Sequence, residues 1–189
     1  MSDGADASSG QPATRRERIA LFTIADEAAY HEARVLILIS AFTRRTRGLG
    51  DVERLVPLDY ILRFPWVLEN LPLKPRRTWA AGLEASERVV EAFDSRYAAA
   101  RYGPWYDRYE RMIAVLQGRG LVATGEPRDA QLRTTRDGRL AADRLAASHQ
   151  AWAICIKRAA FLYAQVNLTA RALDRAIRTT LDSDPGRGL

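Results

Sequence analysis

Apolar positions recur every three to four residues along most of this chain, and alternation is confined to one short stretch. From Asp26 to Arg45 the series Ala28, His31, Val35, Leu38, Ile39 and Phe42 follows helical spacing. The run "VLILI" (35–39) alone fits a strand, but its flanks "DEAAYHEAR" and "SAFTRR" make it the buried centre of a helix. Asp26 and Glu27 suit that helix's N-terminus, and Arg44, Arg45 and Arg47 its C-terminus, as the macrodipole prefers. Gly48 and Gly50 then end it. "DVERLV" reads as a short second helix with Asp51 as N-cap. Pro57 opens a third, "LDYILRFPWVLENLP" (58–72), as a first-turn proline. Pro65 removes a backbone donor and restrains Phe64, which predicts a kink or break there. Three such helices joined by tight turns form the front half of a helix-turn-helix unit.

Residues 73–103 read as an insertion, with "LKPRRTWAAGL" as loop and "EASERVVEAFDSRYAAARY" as helix or partial strand. After Gly103-Pro104, "PWYDRYERMIAVLQGRG" sets Trp105, Tyr109, Met112, Ile113 and Leu116 on one helical face. A short apolar run (Leu121–Ala123), a polar Gly/Pro turn, the alternating "AQLRTT" and a capped helix from about Asp137 follow. Strand, turn, strand, helix is the wing of a winged helix and its exit helix. From Gln150 to Leu181 the pattern predicts one long amphipathic helix. Trp152, Ala159, Val166 and Leu173 recur every seven residues, and so do Ile156, Tyr163, Ala170 and Ile177. That seam packs on the domain's own core or on another chain. The predicted fold is mainly α: a winged helix-turn-helix domain (19–148) with an insertion at 73–103 and a wing at 120–136. A long C-terminal helix (149–182) follows, with disordered tails at 1–18 and 183–189.

Composition leaves a globular protein with a real core, at 189 residues, 47% hydrophobic and 28% charged. Net charge is +6 and the pI about 9.9, which leans towards an anionic partner. Twenty-nine basic residues face 23 acidic ones, so the lean is moderate. A single Cys155 excludes a disulfide framework and a cysteine zinc cluster, and its apolar neighbours predict a buried thiol. The N-terminal stretch has no apolar core of a signal peptide, so a cytoplasmic location is expected. No membrane segment is expected either, since "VLILI" is far too short to span one.

Catalysis finds no foothold. His31 and His149 have no Cys or His at metal-ligand spacing, and "TRRTRGLGD" lacks the lysine and spacing of a nucleotide-binding loop. The chain reads as no enzyme, with no cofactor, metal or small-molecule substrate. Residues 58–72 occupy the place of a recognition helix, yet Arg63 is their only cation. Base edges and phosphates call for Arg, Lys, Asn and Ser, so this stretch reads as built for packing, internally or against a partner. Arg44, Arg45 and Arg47, and Arg128, Arg133, Arg136 and Arg139 around the wing, read as phosphate contacts or as a solvated surface.

Two stretches carry a resemblance. "AFTRRTRGLGDVERLVPLDYILRFPWVLE" (41–69) and "RYGPWYDRYERMIAVLQGRGLV" (101–122), with "LRTTRDGRLAADRLA" (132–146), resemble the middle component of bacterial three-component ABC systems. These include the Lamassu-type anti-phage systems built around an SMC/Rad50-like ATPase. The Trp–Tyr–Asp order at 105–107 departs from a direct Trp–Asp pairing. The resemblance implies a non-enzymatic winged-helix accessory subunit that binds the ATPase and a further effector subunit. On that reading Leu62, Phe64, Trp66, Tyr163, Ala170 and Ile177 are the expected partner contacts. Any contacts with the DNA backbone fall to Arg44, Arg45, Arg47, Arg133 and Arg136. A winged-helix transcriptional regulator dimerising through the C-terminal helix is the alternative.

Overall fold

The computed structural model describes residues 15–45, 48–73, 75, 77–84, 106–125 and 131–183. Among these residues the chain is mainly α, as expected, with seven helices and one two-stranded sheet. The order is α1 (Arg15–Thr43), α2 (Val52–Arg63), α3 (Trp66–Asn70), α4 (Tyr106–Gly118), β1 (Val122–Thr124), β2 (Leu132–Thr134), α5 (Arg136–Ser148), α6 (Gln150–Gln165) and α7 (Ala170–Ser183). The tails at 1–14 and 184–189, Arg47, Trp105, most of the insertion (85–103) and the wing tip with Arg128 lie outside the described residues.

No Gly or Pro interrupts the chain from Ala13 to Arg47, and α1 uses this run. It spans 29 residues, roughly 43 Å at 1.5 Å per residue. It therefore starts upstream of the expected Asp26, and Arg15–Arg18, expected in a disordered tail, are helical. Asp26 and Glu27 fall inside the helix rather than at its start. Every residue from Val35 to Phe42 is buried, so this part of α1 is enclosed on all sides. It packs against α2, α4, α5, α6 and β2 and forms the centre of the core.

Asp51 caps α2 as predicted, its Oδ1 accepting from the Arg54 N–H at 3.0 Å. Pro57, however, does not open a new helix. It sits within α2, so "DVERLV" and Leu58–Arg63 form one continuous element. A proline inside a helix costs about 3 kcal/mol. Leu55, Leu58 and Ile61 are each at most 1% exposed, and a fully buried Leu or Ile contributes about 1.5–3 kcal/mol, so burial outweighs that cost. The predicted break falls at Phe64-Pro65, where the Phe64 N–H closes α2 on the Tyr60 carbonyl at 2.9 Å and α3 begins.

β1 and β2 pair antiparallel with Val122 opposite Thr134 and Thr124 opposite Leu132. Residues 48–50 run along the other edge of β2: the Leu49 N–H donates to the Leu132 carbonyl at 3.0 Å, and the Leu132 N–H to Gly50 at 2.8 Å. Gly48 sits at φ +154°, where a Cβ would lie 2.9 Å from the Leu132 carbonyl oxygen. Gly48 and Gly50 thus shape an edge contact rather than merely ending α1.

The C-terminal stretch departs from one long helix. It divides into α6 and α7, with Val166–Thr169 between them. The Val166 N–H closes α6 on Leu162 at 2.9 Å, and Thr169 Oγ1 accepts from the Ala172 N–H at 3.3 Å to start α7. Asn167 and Thr169 offer the backbone local partners that compete with a continuous helix. α6 packs on α1 and α5, whereas α7 packs on α2 and α3. Among the described residues no helix is long and apolar enough to cross a membrane.

Candidate functional site

The chemistry-bearing side chains gather in one buried polar cluster at the junction of α1, α2 and α4. Arg34 donates from Nε to Asp59 Oδ1 and from its second terminal nitrogen to Oδ2, both at 2.7 Å. The Tyr109 hydroxyl donates to Asp59 Oδ2 at 2.6 Å, and His31 Nδ1 lies 2.9 Å from an Arg34 nitrogen. Asp59 is fully buried, and Arg34 and His31 are nearly so. Burial by itself raises a carboxyl pKa, but the Arg34 charge and the hydrogen bonds from Arg34 and Tyr109 prevail, and Asp59 is held below its ordinary value. Burial and the Asp59 charge push the Tyr109 hydroxyl well up, so it stays protonated and donates. The cluster is closed to substrate. Its chemical role is to lock three helices in one register.

His31 is thus the satisfied core histidine that its position predicts. Cys155 on α6 is half-buried, and burial pushes its thiol up to about 12, far from a reactive thiolate. Among the described residues no group of three His, Cys, Asp or Glu side chains is placed to hold a metal ion.

The expected partner residues take a different place. Leu62, Phe64 and Trp66 are at most 4% exposed and belong to the core, and Ile177 is fully buried. The surplus of apolar surface on residues 58–72 is met by the chain itself, so these four residues offer no partner surface. Tyr163 is half-buried, edge-on to Phe42 at 5.2 Å, and Ala170 is half-buried at the start of α7.

The backbones that carry four of the expected cationic residues, Arg44, Arg45, Arg133 and Arg136, come close at one point, while Arg47 lies outside the described residues. The Thr134 N–H donates to Thr43 Oγ1 at 3.0 Å, which brings the end of α1 against β2. Arg44 and Arg45 follow Thr43, while Arg133 directly precedes Thr134 and Arg136 stands two residues after it, so their backbones share one corner. Arg44 reaches Asp143 at 2.6 Å, an exposed pair of small energetic weight. Arg45 lies over the Tyr163 ring at 5.6 Å. Arg133 is half-buried on β2, and Arg136 is exposed at the first position of α5.

The motif "TTRDG" sets that corner. Thr135 caps α5, with Oγ1 accepting from the Gly138 N–H at 3.0 Å, and its own N–H donates to the Leu121 carbonyl at 3.0 Å. At Gly138 a Cβ would fall 1.9 Å from the Leu121 oxygen, so only glycine allows this approach.

Sequence reasoning missed the Arg34–Asp59–Tyr109 cluster. Its signal was present: Asp59 stands inside the apolar run "LVPLDYILRF", on a helix face that a lone carboxylate does not tolerate. Also missed was the tie between the loop at 77–84 and the core. Trp79 Nε1 donates to the Pro65 carbonyl at 2.6 Å, and Arg158 of α6 donates to the carbonyls of Leu83 and Glu84 at 2.8 and 2.7 Å.

The class this geometry defines is a mainly helical protein with a two-stranded antiparallel hairpin and a closed polar junction. Compared with models of protein families, with curated proteins and with solved structures, the chain matches none.

Proposed function

We propose that this chain is a non-enzymatic winged-helix accessory subunit of an SMC/Rad50-like ATPase complex of the anti-phage type. It joins the ATPase to a further effector subunit and touches DNA, if at all, through the phosphate backbone. The winged-helix reading draws support from the order helix, edge segment, helix, helix, hairpin, with residues 48–50 bonded along β2. In that arrangement the helix entering the hairpin is α4, so the recognition position belongs to α4 and not to residues 58–72.

One observation carries the choice between subunit and regulator. Among the described residues the exposed face of α4 presents Glu110, Arg111, Ala114, Val115 and Gln117, with Arg108 half-buried on the first turn. A base-reading helix presents several donors to the groove, whereas this one mixes a carboxylate and two small apolar side chains with them. The regulator reading also called for a dimer seam on the C-terminal helix. Leu173 and Ile177 of that seam are buried inside the chain.

Affinity purification of the full chain from its native host tests the proposal. Copurification of a large coiled-coil ATPase is the expected result. A footprint on one DNA sequence by the isolated chain, with about 10³-fold or greater preference over random DNA, would overturn it in favour of the regulator.

A further inference from the structure

An open groove of about 430 Å³ runs between α1, α4 and α5. Its apolar lining includes Ala33, Leu36, Leu116, Leu121, Ala141 and Leu145. We propose that this groove docks an amphipathic helix of a partner protein that carries carboxylates beside its apolar face. The proposal rests on reading the chain as a protein-binding subunit and names the surface that does the binding.

The shape fits such an occupant. The volume lies in the usual range for ligand clefts, roughly 300–1,000 Å³, and the groove is open to solvent and walled mainly by helices. A docked helix inserts apolar anchors spaced at i, i+3 or i+4, and i+7. Ala29, Ala33 and Ala141 in the wall let its backbone approach closely.

The charge of the rim selects the partner's chemistry. Glu32, the carboxylate in the lining, is already engaged by Arg119 at 2.6 Å. Arg144 is exposed and has no hydrogen bond or ion pair among the described residues. Among the described lining residues the unmet charge is therefore positive, and carboxylates flanking the incoming apolar face would meet it. Residues 1–14 and 184–189 lack the apolar anchors of such an occupant. Residues 1–14 hold no large apolar side chain beyond Met1, and residues 184–189 hold only Leu189.

The test uses the purified full chain and three synthetic helical peptides of about 16 residues, four to five turns. The first has Leu at i, i+3, i+7 and i+10 flanked by Glu, the second replaces the flanking Glu with Lys, and the third replaces Leu with Ser. Fluorescence anisotropy should show the Glu peptide binding about tenfold or more tightly than the Lys peptide, and the Ser peptide not binding. Ala29→Trp, at an exposed position, should obstruct the groove and weaken the Glu peptide about tenfold. Arg144→Glu should reverse the preference, and thermal melts should confirm that both variants fold.

Equal affinity for the Glu and Lys peptides, or binding indifferent to Ala29→Trp, would overturn the proposal. So would self-association of the chain that Ala29→Trp abolishes, because a second copy would then fill the groove. Cross-links from the groove to residues 85–105 of the same chain would have the same effect. ATPase copurification by both variants without peptide binding refutes the groove and leaves the subunit reading. Peptide binding without a copurifying ATPase does the reverse.

Discussion

Replacing Asp59 with Asn tests whether the buried junction of α1, α2 and α4 organises the core. The substitution keeps the shape and removes the charge. In the native chain the carboxylate accepts two hydrogen bonds from Arg34 at 2.7 Å and one from Tyr109 at 2.6 Å. An amide offers one acceptor oxygen and turns an NH2 group towards one of these donors. Arg34, nearly fully buried, then keeps its charge without a counter-ion. Removing one partner of such a pair costs about 3–5 kcal/mol, a large share of a stability of about 5–15 kcal/mol. Urea unfolding followed by circular dichroism measures the loss directly. In a chain of this size the melting temperature should fall by about 6–20 °C.

The double variant Arg34→Met with Asp59→Leu removes both charges and should recover much of what Asp59→Asn loses. Acid gives an independent measure. Asp59 titrates below its ordinary value in the fold, so its contribution is complete above the unfolded value of about 3.9 and is lost as pH falls through the folded value. In that window the unfolded chain binds more protons, and stability rises with pH. Below about pH 4 the native chain should therefore lose stability more steeply than the double variant. A loss under about 1 kcal/mol for Asp59→Asn, or a double variant no better than the single one, would refute the reasoning.

Gly138→Ala should destabilise the chain by about 2–4 kcal/mol in urea, even after about 1 kcal/mol of improved helix propensity. The new Cβ, 1.9 Å from the Leu121 oxygen, must part α5 from Leu121 and stretch the Thr135 bonds, and unchanged stability would mean that α5 is not docked there. Cys155, with its thiol pushed up to about 12, should react with iodoacetamide at pH 8 about a hundredfold or more slowly in the folded chain than in urea. Equal rates would place the thiol in solvent. Arg136→Glu suits the first turn of α5 and should leave the fold intact. If the arginine corner meets phosphates, it should weaken DNA binding uniformly across sequences and flatten the salt slope by about 1. Unchanged binding would remove that corner from any nucleic-acid contact.

What was legible in the sequence was local. The Asp51 cap, the break at Pro65, the buried face of α4 from Tyr109 to Leu116, the strand pair at 122–124 and 132–134 and the start of the following helix all follow from neighbouring residues. The length of α1 is hidden because Asp26 and Glu27 look like a helix start, although no Gly or Pro between Ala13 and Asp26 interrupts the helix. Pro57 misleads for the opposite reason: the local rule is sound, and burial of Leu55, Leu58 and Ile61 overrides it. The polar junction joins residues 25 and 50 positions apart, a pairing that no window on one sequence displays.

Two of the departures have a single cause. Residues 58–72 looked too apolar to stay uncovered, and the C-terminal seam looked free to cover another chain. A continuous helix through Val166–Thr169 would have carried the seam along one line. The break lets α7 leave the direction of α6 and lie on α2 and α3. There Leu173 and Ile177 are buried, and Thr180 Oγ1 donates to the Asn70 carbonyl at 3.1 Å, at the last residue of α3. The two apolar surfaces that each called for a partner are partners of one another. Among the described residues, that pairing leaves the groove between α1, α4 and α5, with its alanine wall and the exposed Arg144, as an apolar surface that neither α7 nor residues 58–72 covers.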